Sequence, residues 1–139
     1  MDAVLASLRV PRPQRSTEDL ERMWKALSTC KFFQAFSVDR DAQLECCRLM
    51  SYLASTEGNL LSTDKKAYLV VSGSVENAEA TLGPSSYVTA GEVKCLSQCE
   101  FAELNKARLQ LLVTAFVLFS WRFLVFLTVS WLLWLVSAF

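Results

Sequence analysis

The sequence contains no histidine, only four glycines and three prolines, and no excess of either charge. Without histidine there is no Ser-His-Asp triad, no zinc site with a histidine ligand and no histidine proton shuttle. Neither the G-x-x-x-x-G-K-[ST] phosphate loop nor the G-x-G-x-x-G turn is present. The 14 basic and 14 acidic residues balance, which excludes nucleic-acid binding through bulk positive charge. We therefore expect a protein that is not an enzyme and that holds neither a metal nor a cofactor.

Cysteine is present, but in a pattern that does not indicate a metal site or a disulfide framework. The five residues are Cys30, Cys46, Cys47, Cys95 and Cys99. Their number is odd, and their spacing lacks the paired C-x-x-C units of zinc sites. We predict that they are reduced and serve as small buried hydrophobic side chains.

Charge divides the chain of 139 residues into unequal parts. Residues 1–108 contain 13 basic and 14 acidic residues, whereas residues 109–139 contain a single charge, Arg122. We predict a mobile lead-in at 1–15, where prolines and arginines alternate, a folded module at 16–108 and a hydrophobic, membrane-associated tail at 109–139.

Hydrophobic periodicity within the module changes from helical to extended. Ser16 is a candidate N-cap for a first helix, and a second helix is predicted to run to about Leu53. Short strands follow from Asn59, the clearest at residues 67–71 (AYLVV), and a last helix is predicted from Ser97 to Ala107. The predicted fold class is α+β: a small antiparallel β-roll flanked by N- and C-terminal helices, followed by an apolar helix of transmembrane type.

Several short runs in this order resemble the cyclic-nucleotide-binding domain family. They are RSTEDL at 15–20, the phenylalanines at 32, 33 and 36, Gly58, YLVVSGSV at 68–75, VTA at 88–90, CL at 95–96 and Phe101. Within that family, the chain looks most like the N-terminal regulatory domains of Rap guanine-nucleotide exchange factors. The resemblance implies a β-roll that senses cAMP, and it implies that exchange activity belongs to separate catalytic domains.

The chain departs from the family where the family holds its ligand. In the family, a cassette between the sixth and seventh strands supplies a Phe-Gly-Glu run, a short helix and an arginine for the cyclic phosphate. Here, residues 81–90 (TLGPSSYVTA) are expected to pass from the sixth strand almost directly into the seventh, and no arginine lies between Arg48 and Arg108. No cofactor-binding residue is therefore assigned, and a cyclic nucleotide is a doubtful ligand.

The tail is long enough to cross a bilayer core, which requires about 20 apolar residues. A span at 111–131 would place Arg122 in mid-membrane, whereas a span at 123–139 would place Arg122 at the interface. The predicted membrane-interface residues are Trp121, Arg122, Trp131 and Trp134.

Two hypotheses for function follow. In the first, the chain is a non-catalytic regulatory or interaction module with a degenerate cyclic-nucleotide-binding fold. It would contact a protein partner and would be tail-anchored in a membrane with the folded domain cytosolic, or cytoplasmic if the tail does not insert. In the alternative, it is the cAMP-sensing regulatory domain of a guanine-nucleotide exchange factor, or a truncated isoform of one, and the ligand enters through a rearranged loop at 83–86.

Overall fold

A computed structural model describes residues 1–36, 39–78 and 80–138, apart from the side chains at 35, 36, 117, 119–121 and 123. Its helices are α1 (Asp2–Leu8), α2 (Thr17–Leu27), α3 (Lys31–Phe36), α4 (Arg40–Leu49) and α5 (Lys106–Ser137), with a 3₁₀ turn at Arg12–Gln14. Its strands are β1 (Ser51–Ser55), β2 (Leu60–Ser62), β3 (Lys66–Ser72), β4 (Val75–Asn77), β5 (Ala80–Leu82), β6 (Tyr87–Val88), β7 (Glu92–Cys95) and β8 (Cys99–Asn105). The predicted α+β class, with antiparallel strands and flanking helices, is confirmed.

The strands form two four-stranded antiparallel sheets, in the orders β1-β8-β3-β6 and β2-β7-β4-β5. A hydrophobic cluster, here called the roll core, joins the two sheets; its buried members are Tyr68, Val70, Val75, Val88, Val93, Cys95, Cys99 and Phe101. A second cluster joins the helices to the opposite face of β3 and β8. Because alternate residues of β3 enter alternate clusters, both faces of this strand are buried, which explains its continuous hydrophobic sequence.

The first predicted helix is confirmed as α2. Ser16 and Asp19 form a reciprocal capping box, in which the Ser16 hydroxyl accepts the Asp19 amide and the Asp19 carboxylate accepts the Ser16 amide. Leu20, Met23 and Leu27, spaced at three and four residues, are buried along one face. The cap and the apolar stripe are both local signals, so the sequence alone was sufficient to predict this helix.

The segment predicted to be a mobile lead-in contains α1, which packs against α2. Val4 and Leu8 are fully buried in the helical cluster. Arg15 is 8% exposed, and its guanidinium donates to the carbonyls of Leu8 (3.1 Å), Cys47 (3.1 Å) and Met50 (2.6 Å). It therefore satisfies carbonyls at the C-terminal end of α4 that have no partner within that helix, and it ties α1 to the start of β1.

Two strands, β1 and β8, form where the sequence analysis predicted helix. Both are stabilised by pairing with strands that are distant in the sequence. The second helix ends at Leu49, and residues 51–55, predicted to be partly helical, form β1. Residues 99–105, predicted to be helical, form β8, which pairs with both β1 and β3. Spacings such as Leu49 to Leu53 fit a helix locally, but a ladder on both sides of β8 overrides that preference.

The tail prediction requires a correction. Helix α5 begins within the domain, where Leu109 and Leu112 pack on the helical cluster. Over the part of the chain that the structure describes, none of the helices has both the length and the apolar character that a membrane crossing requires. The predicted transmembrane helix within 109–139 is therefore not supported.

All five cysteines are free and buried, as predicted. Burial raises the pKa of the Cys47 thiol to about 12, because the thiolate would lose its hydration, and it also raises the pKa of Cys46. Burial likewise raises the pKa of Cys95. These thiols therefore remain protonated and unreactive in the folded domain.

We expect Cys46 and Cys47 of native protein at pH 8 to react with iodoacetamide at least about a thousandfold more slowly than in protein unfolded in guanidinium, since both burial and their raised pKa values suppress the thiolate. Mass spectrometry at timed quenches measures the labelling. A Gln98→Cys variant, which carries one exposed thiol, should gain a single fast label. Rapid labelling of Cys46 or Cys47 in native protein would contradict the prediction.

Replacing Arg15 with methionine should lower the free energy of unfolding by about 2–3 kcal/mol, because buried carbonyls lose a charged donor. Urea denaturation followed by circular dichroism in a non-ionic detergent measures the effect. Arg12→Met, which changes an exposed arginine three residues away, is the matched control and should have little effect. Equal losses from the two substitutions would show that the Arg15 contacts do not stabilise the fold.

Candidate functional site

The candidate site is the crossing between the two sheets at residues 89–91, which connect β6 to β7. Strand β6 pairs with β3 in one sheet, and β7 pairs with β2 and β4 in the other. The sequence analysis placed this crossing within 81–90, but Ala80–Leu82 is the fifth strand, so the crossing begins later. Its position between the sixth and seventh strands is the place where the resembled family carries its phosphate cassette.

The backbone of this crossing is held by hydrogen bonds from side chains to its carbonyl oxygens. Four successive carbonyl oxygens accept hydrogen bonds from side chains: Thr89 from Lys106, Ala90 from Asn77, Gly91 from Thr63 and Glu92 from Asn77. The two bonds from the Asn77 amide nitrogen are each 3.1 Å long. The negative ends of four peptide dipoles are thus paired with donors from β4, from the start of α5 and from the segment after β2.

The geometry of this contact requires glycine at position 91. Gly91 has a φ of +81°, which favours glycine, and a Cβ there would lie 3.1 Å from the Asn77 amide nitrogen. Thr63, which donates to the Gly91 carbonyl, is 3% exposed. The crossing is therefore closely packed against its donors.

A cyclic phosphate requires hydrogen-bond donors, whereas this crossing presents carbonyl oxygens, which are acceptors. An anion is held by backbone N–H groups and by a guanidinium that can donate to two of its oxygens. Here carbonyl oxygens are fixed, the nearby Lys106 ammonium donates to the Thr89 carbonyl, and the sequence has no arginine from residue 49 to residue 107. The arrangement can bind cations or donors more readily than a phosphate.

The space between the sheets is filled by side chains. The eight buried members of the roll core are each 5% exposed or less. Tyr68 packs edge-on against Phe101 with ring centroids 5.7 Å apart, and its hydroxyl donates to the Ser62 carbonyl at 3.2 Å. Burial raises the pKa of Tyr68, so the hydroxyl stays neutral. A ligand base within the roll would have to displace these side chains.

The loop at 83–86, suggested as an alternative route for a ligand, is a tight turn bonded to β3. The Ser85 amide donates to the Val70 carbonyl (2.8 Å), the Val70 amide donates to the Ser86 carbonyl (2.8 Å), and the Ser86 amide donates to the Gly83 carbonyl (3.2 Å). Two of its amides are thus already occupied. An open cleft of about 440 Å³ lies on its outer side, against Thr29 and Lys31.

Acidic side chains of the module are of two kinds. Glu57 and Asp64 are exposed. Glu103 instead forms an ion pair of 2.8 Å with Lys66, which raises the pKa of that lysine, and Glu100 pairs with Arg9 at 3.1 Å. In the described part of the chain, no group of three or more acidic or cysteine side chains is placed to hold a metal ion.

The predicted interface residues lie on α5 and away from the crossing. Arg122 is exposed, and Trp131 and Trp134 are 69% and 67% exposed. The Trp121 side chain lies outside the described residues. The structure brings together a different set, Thr63, Asn77 and Lys106, which the sequence analysis did not identify.

No protein-family model matches the sequence, and no curated protein matches it. Solved structures do match. One is the cAMP-bound regulatory domain of Toxoplasma gondii protein kinase A, with a TM-score of 0.57 and 16% identity over 71% of this chain and 46% of that chain. The fold is that of a cyclic-nucleotide-binding domain. The regulatory subunit of a cAMP-independent protein kinase A from Trypanosoma brucei also matches, with a TM-score of 0.51 and 15% identity over 62% of this chain and 38% of that chain.

A third match to the cyclic-nucleotide-binding fold is the corresponding Trypanosoma cruzi subunit, bound to guanosine, with a TM-score of 0.51 and 14% identity over 62% of this chain and 38% of that chain. All three are regulatory rather than catalytic subunits. This chain spans less than half the length of each. At such low identity the likeness extends to the fold and does not identify a ligand.

Asn77→Asp should destabilise the crossing, because a carboxylate would face two carbonyl oxygens in place of a donor. We expect a loss of about 1–3 kcal/mol of unfolding free energy. Gln98→Asp, at an exposed position, replaces an amide with a carboxylate without facing these carbonyls and is the control. Urea denaturation measures both variants. An Asn77→Asp variant as stable as the parent would show that the carbonyl contacts do not hold the crossing.

Proposed function

We propose that this chain is a non-catalytic regulatory domain that has kept the cyclic-nucleotide-binding fold and works through contact with another protein, without a cyclic nucleotide. The observation that carries this proposal is the crossing at 89–91. It is three residues long, and its carbonyl groups accept hydrogen bonds from Thr63, Asn77 and Lys106. The regulatory role is supported by the fold, since the matching structures are regulatory subunits.

Electrostatics supports the loss of ligand binding. A charge-assisted hydrogen bond contributes about 1.5–3 kcal/mol, so the absence of the guanidinium alone costs roughly 10- to 150-fold in affinity. The missing amide cradle removes further donors, and the fixed carbonyl oxygens would repel an anion. All of these effects weaken contact with the phosphate group of the ligand.

The closer likeness to Rap guanine-nucleotide exchange factors is also part of the proposal. It rests on residues 68–75, where β3 passes through a turn into β4. Gly73 in that turn has a φ of +89°, and a Cβ there would lie 2.5 Å from the Gln98 carbonyl oxygen. The glycine of the quoted motif is therefore required by the packing of this roll. We propose, on the same likeness, that any exchange activity resides in a separate catalytic domain.

We further propose that the protein is located at a membrane, with the folded domain on the cytosolic side. Support comes from α5, whose described side chains from Leu124 to Val136 are almost entirely apolar, and whose only charged residues are Lys106, Arg108 and Arg122. All three charges are positive and precede the apolar segment, and positive charge is attracted to the anionic cytosolic leaflet of a membrane.

The alternative function is cAMP sensing as part of an exchange factor or as a truncated isoform of one. It is favoured by the match to a regulatory domain with bound cAMP. It would require the turn at 83–86 to release its bonds with Val70 and to turn its amides toward the ligand. Lys31 lines the cleft beside that turn and supplies a cation there.

Isothermal titration of the full chain with cAMP tests the proposal, with cGMP and guanosine as further ligands. We expect no saturable heat below about 100 μM cAMP, a concentration that corresponds to roughly −5.5 kcal/mol. Saturable cAMP binding below about 10 μM that is abolished by Lys31→Gln, but unaffected by Lys25→Gln, would favour the alternative. Guanosine binding without cAMP binding would confirm that the phosphate site is missing. It would also show that the domain still binds a nucleoside.

A further inference from the structure

Beyond the region where α5 packs on the domain, the helix exposes an apolar surface on all of its sides. Over Leu124–Val136 the described large side chains include Phe126 (68% exposed), Trp131 (69%) and Leu132 (61%). At about 100° per residue, these three side chains lie roughly 100° to 140° apart around the helix axis. Such a helix is normally surrounded by apolar material, because no face is suited to water.

Two of the three hydroxyl groups from Leu124 to Ser137 point to the same environment. Thr128 donates to the Val125 carbonyl at 2.8 Å, and Ser137 donates to the Trp134 carbonyl at 2.9 Å. Their donors are satisfied within the helix. Satisfying polar groups internally is what a helix requires when no water is present to accept their hydrogen bonds.

A second copy of the chain would fit this segment less well than lipid does. Helix pairs bury a stripe of apolar residues, repeated every three or four positions, and keep the remaining circumference polar. Here the circumference between Leu124 and Val136 has no polar stripe, so a dimer would leave most of its apolar surface in water. Acyl chains can cover every side at once.

Charge indicates which lipid surface fits. The apolar segment is preceded by Arg122, which is exposed, and α5 carries no acidic residue along its entire length. Arginine is stable at the level of the headgroups, where it meets anionic phosphates. The segment from Leu124 to Val136 is about 20 Å long, shorter than a bilayer core of about 30 Å.

We propose that α5 binds an anionic lipid bilayer directly, with residues 124–136 immersed among acyl chains without crossing them and Arg122 at the headgroups. This inference rests on the proposed membrane location and names its partner. The lipid, rather than a protein receptor, is what holds the domain. The domain end of α5, at Leu109 and Leu112, stays packed on the helical cluster.

Vesicle flotation of full-length protein, synthesised in a cell-free system in the presence of vesicles, tests the proposal. The vesicles contain phosphatidylcholine alone or with about 30% phosphatidylserine. We expect stronger binding to the anionic vesicles, reduced about fivefold by Arg122→Gln and unchanged by Arg22→Gln, an exposed arginine on α2. Leu133→Gln should weaken binding to both vesicles at least tenfold, whereas Leu60→Gln, an exposed leucine on β2, should not.

Three kinds of outcome would each contradict a different part of the proposal. Equal binding to both vesicles, or no effect of Arg122→Gln, would overturn the role of the anionic surface. Protein that remains unbound as a defined dimer would show that a second copy covers α5. A cysteine placed after residue 136 that is labelled from inside the vesicle would show a crossing helix.

Fractionation of expressing cells separates this proposal from the proposed function. Recovery in the membrane pool without vesicle binding would contradict direct lipid contact and leave the membrane location standing. Recovery only in the soluble pool would contradict the location itself. Cyclic-nucleotide titration reports on the roll alone, so cAMP binding would overturn the proposed function without altering the vesicle result.

Discussion

Binding of an anion by backbone requires amide hydrogens to point at one place, and a chain segment needs enough residues to make that turn. Residues 89–91 are only enough to carry the chain from one sheet to the other. Their carbonyl oxygens accept hydrogen bonds from Asn77, Thr63 and Lys106. The length of this crossing therefore determines both how the roll closes and which charge it can accept. A roll closed in this way has its interior filled by Tyr68 and its neighbours, so protein side chains alone make up its core.

The helical half depends on a different polar contact. The guanidinium of Arg15 lies among carbonyls of α1, of the end of α4 and of the residue before β1. Burial lowers the pKa of Arg15, but an arginine pKa is high enough for the group to remain charged. The contact lets α4 stop at Leu49 and the chain turn directly into β1. Without a donor there, the carbonyls of α4 would favour further helical residues or water, and the start of the first sheet would be lost.

Local signals predicted the parts of the fold that local interactions stabilise. The capping box at Ser16 and the apolar spacing of α2 were sufficient for that helix, and the β-branched run at 67–71 was sufficient for β3. The strands β1 and β8 were missed because β8 is fixed by partners on both sides, about 30 to 50 residues away, and its own sequence alternates only weakly.

The absence of an arginine could be read directly from the sequence. The carbonyl contacts could not, because Asn77, Thr63 and Lys106 are common polar residues whose role appears only when the two sheets are joined.

Lys106 belongs both to the crossing and to α5. Its ammonium donates to the Thr89 carbonyl, and its backbone begins a continuous helix that reaches Ser137. The position of the crossing is set by side chains, one of which, Lys106, is the first residue of α5. A rigid helix transmits displacement along its axis more faithfully than a flexible linker does. Because Leu109 and Leu112 also fix the first turns of α5 to the helical cluster, the crossing and the helical cluster are positioned against the same helix. The domain is thus coupled to α5 by packing and by one ammonium–carbonyl contact.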